Sequence, residues 1–119
     1  MPTTPQHRAK AEHDEFLSTE LNNPFWDWAV TGTFYAALQY IEAYFANQLP
    51  PLHPPTHVIR DSYIHGDPKL NPIYVDYRQL EDESRDARYD ASVTFAQADV
   101  TRTRTYLERI KAVVIPLLP

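Results

Sequence analysis

Arg60 stands five positions before His65 in the run Arg60-Asp61-Ser62-Tyr63-Ile64-His65. The two side chains carry complementary chemistry. A guanidinium keeps its charge and stabilises developing negative charge, while an imidazole moves protons near neutral pH; together they offer general acid–base chemistry on a phosphate ester without a metal. Spacing alone does not single them out, because Arg8 and His13 stand equally far apart. In an unbroken helix this offset turns the side chains about 140° from each other, so Arg60 and His65 converge only where the chain unwinds, beside Gly66.

Other charged groups offer binding chemistry. His57, Arg60 and Asp61 share an i, i+3, i+4 face, which reads either as an anion or phosphate contact or as a set of polar anchors. Asp27 and Glu42 are the only charged residues between Phe25 and Gln48, and a buried carboxylate needs a cation. Arg85 and Arg88 are the expected suppliers, forming ion pairs that lock two helices in register; alternatively these arginines bind phosphate. Asp27 also lies near enough to a helix start to be held by the dipole alone. Arg102, Arg104, Arg109 and Lys111 form the one locally basic stretch. It reads as a solvated face or as an RNA footprint contacted through Arg102 and Arg109. His53 and His57 have a metal-ligand interval, but Pro54 and Pro55 lie between them, so neither a metal nor a cofactor is expected.

These groups belong to a chain of 119 residues, the size of one domain. With 11 Lys+Arg against 16 Asp+Glu the net charge is -5, so any nucleic-acid contact must be a local patch. The absence of Cys excludes disulfide scaffolds, thiolate metal sites and thiol nucleophiles. The longest apolar stretch, Val30 to Ala46, is interrupted by Thr31, Thr33, Gln39 and Glu42 and is too short to span a bilayer. A cytoplasmic protein with no membrane association is expected.

Proline sets the elements. There are 11 Pro and only 2 Gly, which disfavours hairpins and leaves helices in the proline gaps. The first helix is predicted from Pro5 to Leu21, with Ala9, His13, Phe16, Leu17 and Leu21 facing the core. The second runs from Pro24 to Asn47, capped by Asn23 and apolar nearly all round, as a central helix is. Gly32 within it marks a close approach by another helix. A short segment, Thr56 to Ile64, ends where Gly66 takes a left-handed cap. The fourth helix, Pro72 to Asp90, has a seam of Ile73, Tyr77, Leu80, Ser84 and Ala87. The fifth, Ala98 to Ile115, has one of Val100, Thr103, Leu107, Ile110 and Val114. Residues 91–97 read as a loop or a short strand-like stretch, and residues 1–4 and 116–119 as frayed tails. The sum is a single all-α domain over 1–119, an up-and-down bundle of four to five helices.

The order of features resembles a known family. Asp27-Trp28-Ala29, Phe34-Tyr35-Ala36-Ala37-Leu38, Glu42-Ala43-Tyr44, Thr56-His57 with Arg60, Tyr77 with Leu80, and Ser84-Arg85 followed by Ala87-Arg88-Tyr89 resemble the HEPN superfamily, specifically its small stand-alone bacterial proteins. The resemblance covers roughly Lys10 to Val113. It implies a bundle that is often dimeric, in a superfamily containing RNA-cleaving toxins, partners of small nucleotidyltransferases and members without catalysis. The expected function is a binding or interaction module that associates with nucleotide or RNA. The alternatives are an endoribonuclease using Arg60 and His65 across a dimer, and a structural partner of a nucleotidyltransferase or toxin. The many aromatics, Trp28, Tyr35, Tyr63 and Tyr89 among them, exceed what a small core hides, so a homodimer through helix two or four is expected.

Overall fold

The proline gaps fold as helices. A computed structural model describes residues 1–119 as five helices without strands: α1 (Thr4–Glu20), α2 (Trp26–Ala46), α3 (His57–Gly66), α4 (Tyr74–Tyr89) and α5 (Gln97–Val114). Single 3-10 turns, Asn71–Ile73 and Ile115–Leu117, precede α4 and follow α5. Residues 91–96 are loop. No helix is long and apolar enough to cross a membrane.

Helix α2 is the centre, packed against α1, α4 and α5, and fifteen of its residues, from Ala29 to Phe45, are buried. It runs antiparallel to α1, because Thr4 bonds to the carbonyl of Ala43, His7 to Gln39, and Ser18 faces Gly32. Helices α4 and α5 are antiparallel too, since Arg102 pairs with Glu83 and Arg109 with Asp76. The α5 seam Val100, Thr103, Leu107, Ile110 and Val114 is wholly buried, as its period requires. So are Ile73, Tyr77, Leu80 and Ser84.

Helix α1 departs from expectation. Its buried residues are Thr4, Ala11, Asp14 and Ser18, whereas Phe16 and Leu17 are 66% and 47% exposed. The reason lies in Gly32. A Cβ there would stand 3.3 Å from Ser18 Cβ, so α1 approaches α2 through its small side chains and turns its large ones outward. Polar bonds secure the approach: Tyr40 donates to Glu15 at 2.9 Å, and Lys111 of α5 meets the same carboxylate at 2.8 Å.

The element ends also differ in detail. Thr3 caps α1 in a reciprocal capping box with Gln6, and Thr4 is buried, so this end is not frayed. At the other end Leu117 and Leu118 pack against the core. Phe25, not Asn23, precedes α2, and no side chain caps it. Gly66 is the last residue of α3 and has no positive φ; the chain leaves the helix through Asp67 in extended conformation.

Candidate functional site

The buried ring of Phe34 marks the place where α3 and α4 meet α2. Tyr77 of α4 lies 5.8 Å from it, centroid to centroid, and His57 of α3 lies 6.2 Å away. The Arg88 guanidinium of α4 stands 5.9 Å from the same centroid and close to the rings of Tyr35 and Tyr89, at 5.3 and 5.2 Å. Its Nε donates to the Ser84 carbonyl and its Nη1 to the Tyr35 hydroxyl. No carboxylate pairs with it. Aromatic faces thus hold Arg88 while leaving its charge uncompensated by any anion.

His57 and Arg60 occupy the first turn of α3, which Thr56 caps by accepting from the Ile59 amide. Arg60 reaches inward to α2, where its Nε donates to Glu42 Oε1 at 2.5 Å; the two side chains are only 11% and 8% exposed. Arg60 Nη1 lies 3.2 Å from His57 Nδ1, an acceptor when the imidazole is neutral. Burial and then the Arg60 charge, with smaller contributions from Arg88 and Arg85, hold the His57 pKa below its ordinary value.

A second polar layer joins α3 to α4. Arg78 donates to Asp61 at 2.8 Å and lies 3.8 Å from Glu81, while Arg85 reaches Glu81 at 3.6 Å and Asp82 at 3.7 Å. Asp61 Oδ1, Glu81 Oε2, Tyr77 Oη and Ser84 Oγ are buried without a hydrogen-bond partner. Burial, followed by hydrogen bonding to Asp61 and the Asp61 charge, pushes Glu81 up to about 7, against the pull of Arg78 and Arg85. A proton on Glu81 would let the two carboxylates bond to each other.

The structure therefore gathers His57, Arg60, Arg85 and Arg88 at one junction, and it corrects the expected ion pairs. Glu42 pairs with Arg60, not with Arg85 or Arg88. Arg88 stands level with the Phe34 and Tyr35 turn of α2, about two turns before Glu42, and Arg85 is engaged by Glu81 and Asp82 of its own helix. Asp27 has no cation partner; its Oδ1 accepts from the Trp28 amide at the start of α2, the situation in which the dipole suffices. Arg60 and His65 take different partners. Arg60 is held by Glu42, while the exposed His65 ring packs against Tyr74 at 4.7 Å.

Arg102 and Arg109 lie apart from this junction and are neutralised, Arg102 by Glu83 and Asp99 and Arg109 by Asp76. Sequence reasoning missed Arg78 and Glu81. Their i, i+3 relation was visible, but helical period does not tell which carboxylate is drawn inside by a neighbouring helix.

What this arrangement offers chemically is anion recognition. Arg88, which has aromatic neighbours and no carboxylate partner, stands near the His57 imidazole and the exposed Arg85, itself within 3.6 Å of Glu81 and 3.7 Å of Asp82; guanidinium groups of this kind are suited to phosphate. Comparison with protein-family models, curated proteins and solved structures finds no match for the chain.

Proposed function

We propose that this protein is a HEPN-like binding and interaction module whose α2, α3 and α4 junction associates with the phosphate of a nucleotide or RNA. The observation that carries the reading is Arg88, a half-buried guanidinium with aromatic neighbours and no carboxylate partner. An unneutralised charge in a protein of net charge -5 is the group an incoming anion would meet. Arg85, 57% exposed, and His57 stand beside it.

Titration of single-stranded RNA at several salt concentrations tests this. Arg85→Ala and Arg88→Gln are each expected to weaken binding and to reduce the salt slope by about one. An affinity that is flat with salt, or unchanged in both variants, overturns the reading.

The same reading takes the module to self-associate. Its support is an exposed apolar face on α1 and α2, where Leu17, Leu21, Trp28 and Tyr35 border a groove of about 340 Å3. Trp28 is 54% exposed there. Exposed apolar side chains gathered in this way mark contact surfaces, and a second copy of the chain is the proposed occupant.

A further inference from the structure

A cavity of about 410 Å3 opens beside Arg88, walled by Pro24 and Asp27 at the start of α2, by Ala87 to Ala91 at the end of α4, and by Val93 to Phe95 of the following loop. This volume suits a mononucleotide-sized ligand. Its charges are separated rather than uniform. Arg88 supplies a cation without a carboxylate partner. Asp27 supplies a carboxylate with no cation, engaged only by the Trp28 amide. Asp90 turns one oxygen onto the amide and hydroxyl of Ser92, and those bonds keep it ionised by holding its pKa below the ordinary value.

A simple anion would be drawn to Arg88 and repelled by Asp27 and Asp90. The ligand that fits must carry negative charge at one end and N–H donors at the other. Aromatic side chains also line the cavity: Tyr89 is 76% exposed, and Phe95 packs against Ala29, Val30 and Val100. A flat ring stacks on such side chains.

We infer that this cavity takes a guanine nucleotide unit, with its phosphate on Arg88, its base stacked beside Tyr89 or Phe95, and its Watson–Crick edge on Asp27. A carboxylate is acceptor-only, and guanine presents two adjacent N–H donors on that edge. Adenine and cytosine present one amino group beside a ring acceptor, and uracil one N–H between carbonyls, so each sets an acceptor against the Asp27 charge. The inference rests on the phosphate-binding reading above and adds the identity of the base.

The test is a calorimetric titration of GMP, AMP, CMP and UMP into the whole protein, followed by oligonucleotides ending in guanosine or adenosine. GMP is expected to bind about tenfold or more tightly than the others. Asp27→Asn keeps the helix-start acceptor and should bring GMP within about threefold of AMP, and Arg88→Gln should weaken all four nucleotides. The Asp27→Asn readout is a ratio within one folded variant, so a loss of stability does not mimic it. Terminal guanosine preferred in the oligonucleotide, with no GMP binding, identifies a strand end as the source of the unit. Equal binding of all four nucleotides, or a guanine preference that survives Asp27→Asn, overturns the inference while leaving phosphate binding intact. Absence of any binding by nucleotide and RNA alike overturns both.

Discussion

Glu42 and Arg60 form a nearly solvent-free ion pair, the Arg60 Nε donating to Glu42 Oε1 at 2.5 Å across the α2 and α3 interface. Glu42 has no other cation, and the pair is the one direct ion pair between α2 and α3, which otherwise docks through Ile64, ring contacts and the Arg78–Asp61 bond. Removing Arg60 would leave a buried, uncompensated carboxylate. Arg60→Ala is expected to lower unfolding free energy by about 3–5 kcal/mol, measured by urea denaturation. Adding Glu42→Leu to Arg60→Ala should recover part of that loss, since no charge is then stranded. A single variant as stable as the wild type would show that the pair does not hold α3.

Gly32 and Ser18 define how closely α1 approaches α2. The 3.3 Å separation from a hypothetical Cβ, with the Asp14 carbonyl at 3.5 Å, leaves no room for a branched side chain. Gly32→Ala gains up to about 1 kcal/mol of helix propensity but must displace Ser18, so its net effect should be small. Gly32→Leu should cost about 1–3 kcal/mol or more, because α1 must move away. Thermal unfolding of the two variants checks this, and equal melting temperatures would contradict the close approach.

That contact also explains how much was legible beforehand. The seams of α4 and α5 could be read from Tyr77, Leu80, Leu107 and Ile110, because in those helices large apolar residues recur with the period of the buried face. In α1 the same rule selected Phe16 and Leu17 and failed. There the buried face is chosen by small size, and Ala11, Asp14 and Ser18 carry no hydrophobic signal. Gly32 was the readable clue, but it marked a close approach without naming the partner. Likewise the need of Glu42 for a cation followed from its isolation in an apolar helix. Which cation it met depended on where the proline-bounded α3 docks, a long-range relation that spacing does not contain.

Glu81 makes stability pH-dependent. It faces Asp61 from α3 and Arg78 and Arg85 from its own helix. Its folded pKa of about 7 lies above the ordinary 4.5, so the folded protein binds more protons than the unfolded chain between these values. The contribution is complete below the unfolded pKa and is lost as pH rises through about 7. Urea midpoints measured from pH 4.5 to 8 should therefore fall less in Glu81→Gln than in the wild type. Parallel curves would exclude Glu81 as the titrating group.

Arg60 and His65 can be separated as a catalytic pair by one assay. Because Glu42 occupies Arg60 and His65 rests against Tyr74, His65→Ala should leave any RNA cleavage unchanged in EDTA, within about twofold. A loss of about a hundredfold, within the range of a general acid–base contribution, would require Arg60 to leave Glu42 and would support the endoribonuclease reading.

The exposed face of α1 and α2 makes the last prediction. Leu17 and Trp28, which border its groove, are 47% and 54% exposed, though both are large apolar side chains of the kind a core takes up. Sedimentation equilibrium at several concentrations should show a monomer–dimer equilibrium. Trp28→Glu should shift it toward monomer by about thirtyfold or more, the effect of losing a central aromatic anchor. The substitution places a charge on a surface the isolated chain already exposes to water, so unfolding free energy should change by less than about 0.5 kcal/mol. Full stability with a monomer at every concentration of the wild type would leave this face without a second copy, whereas loss of the dimer at unchanged stability would place Trp28 inside the contact.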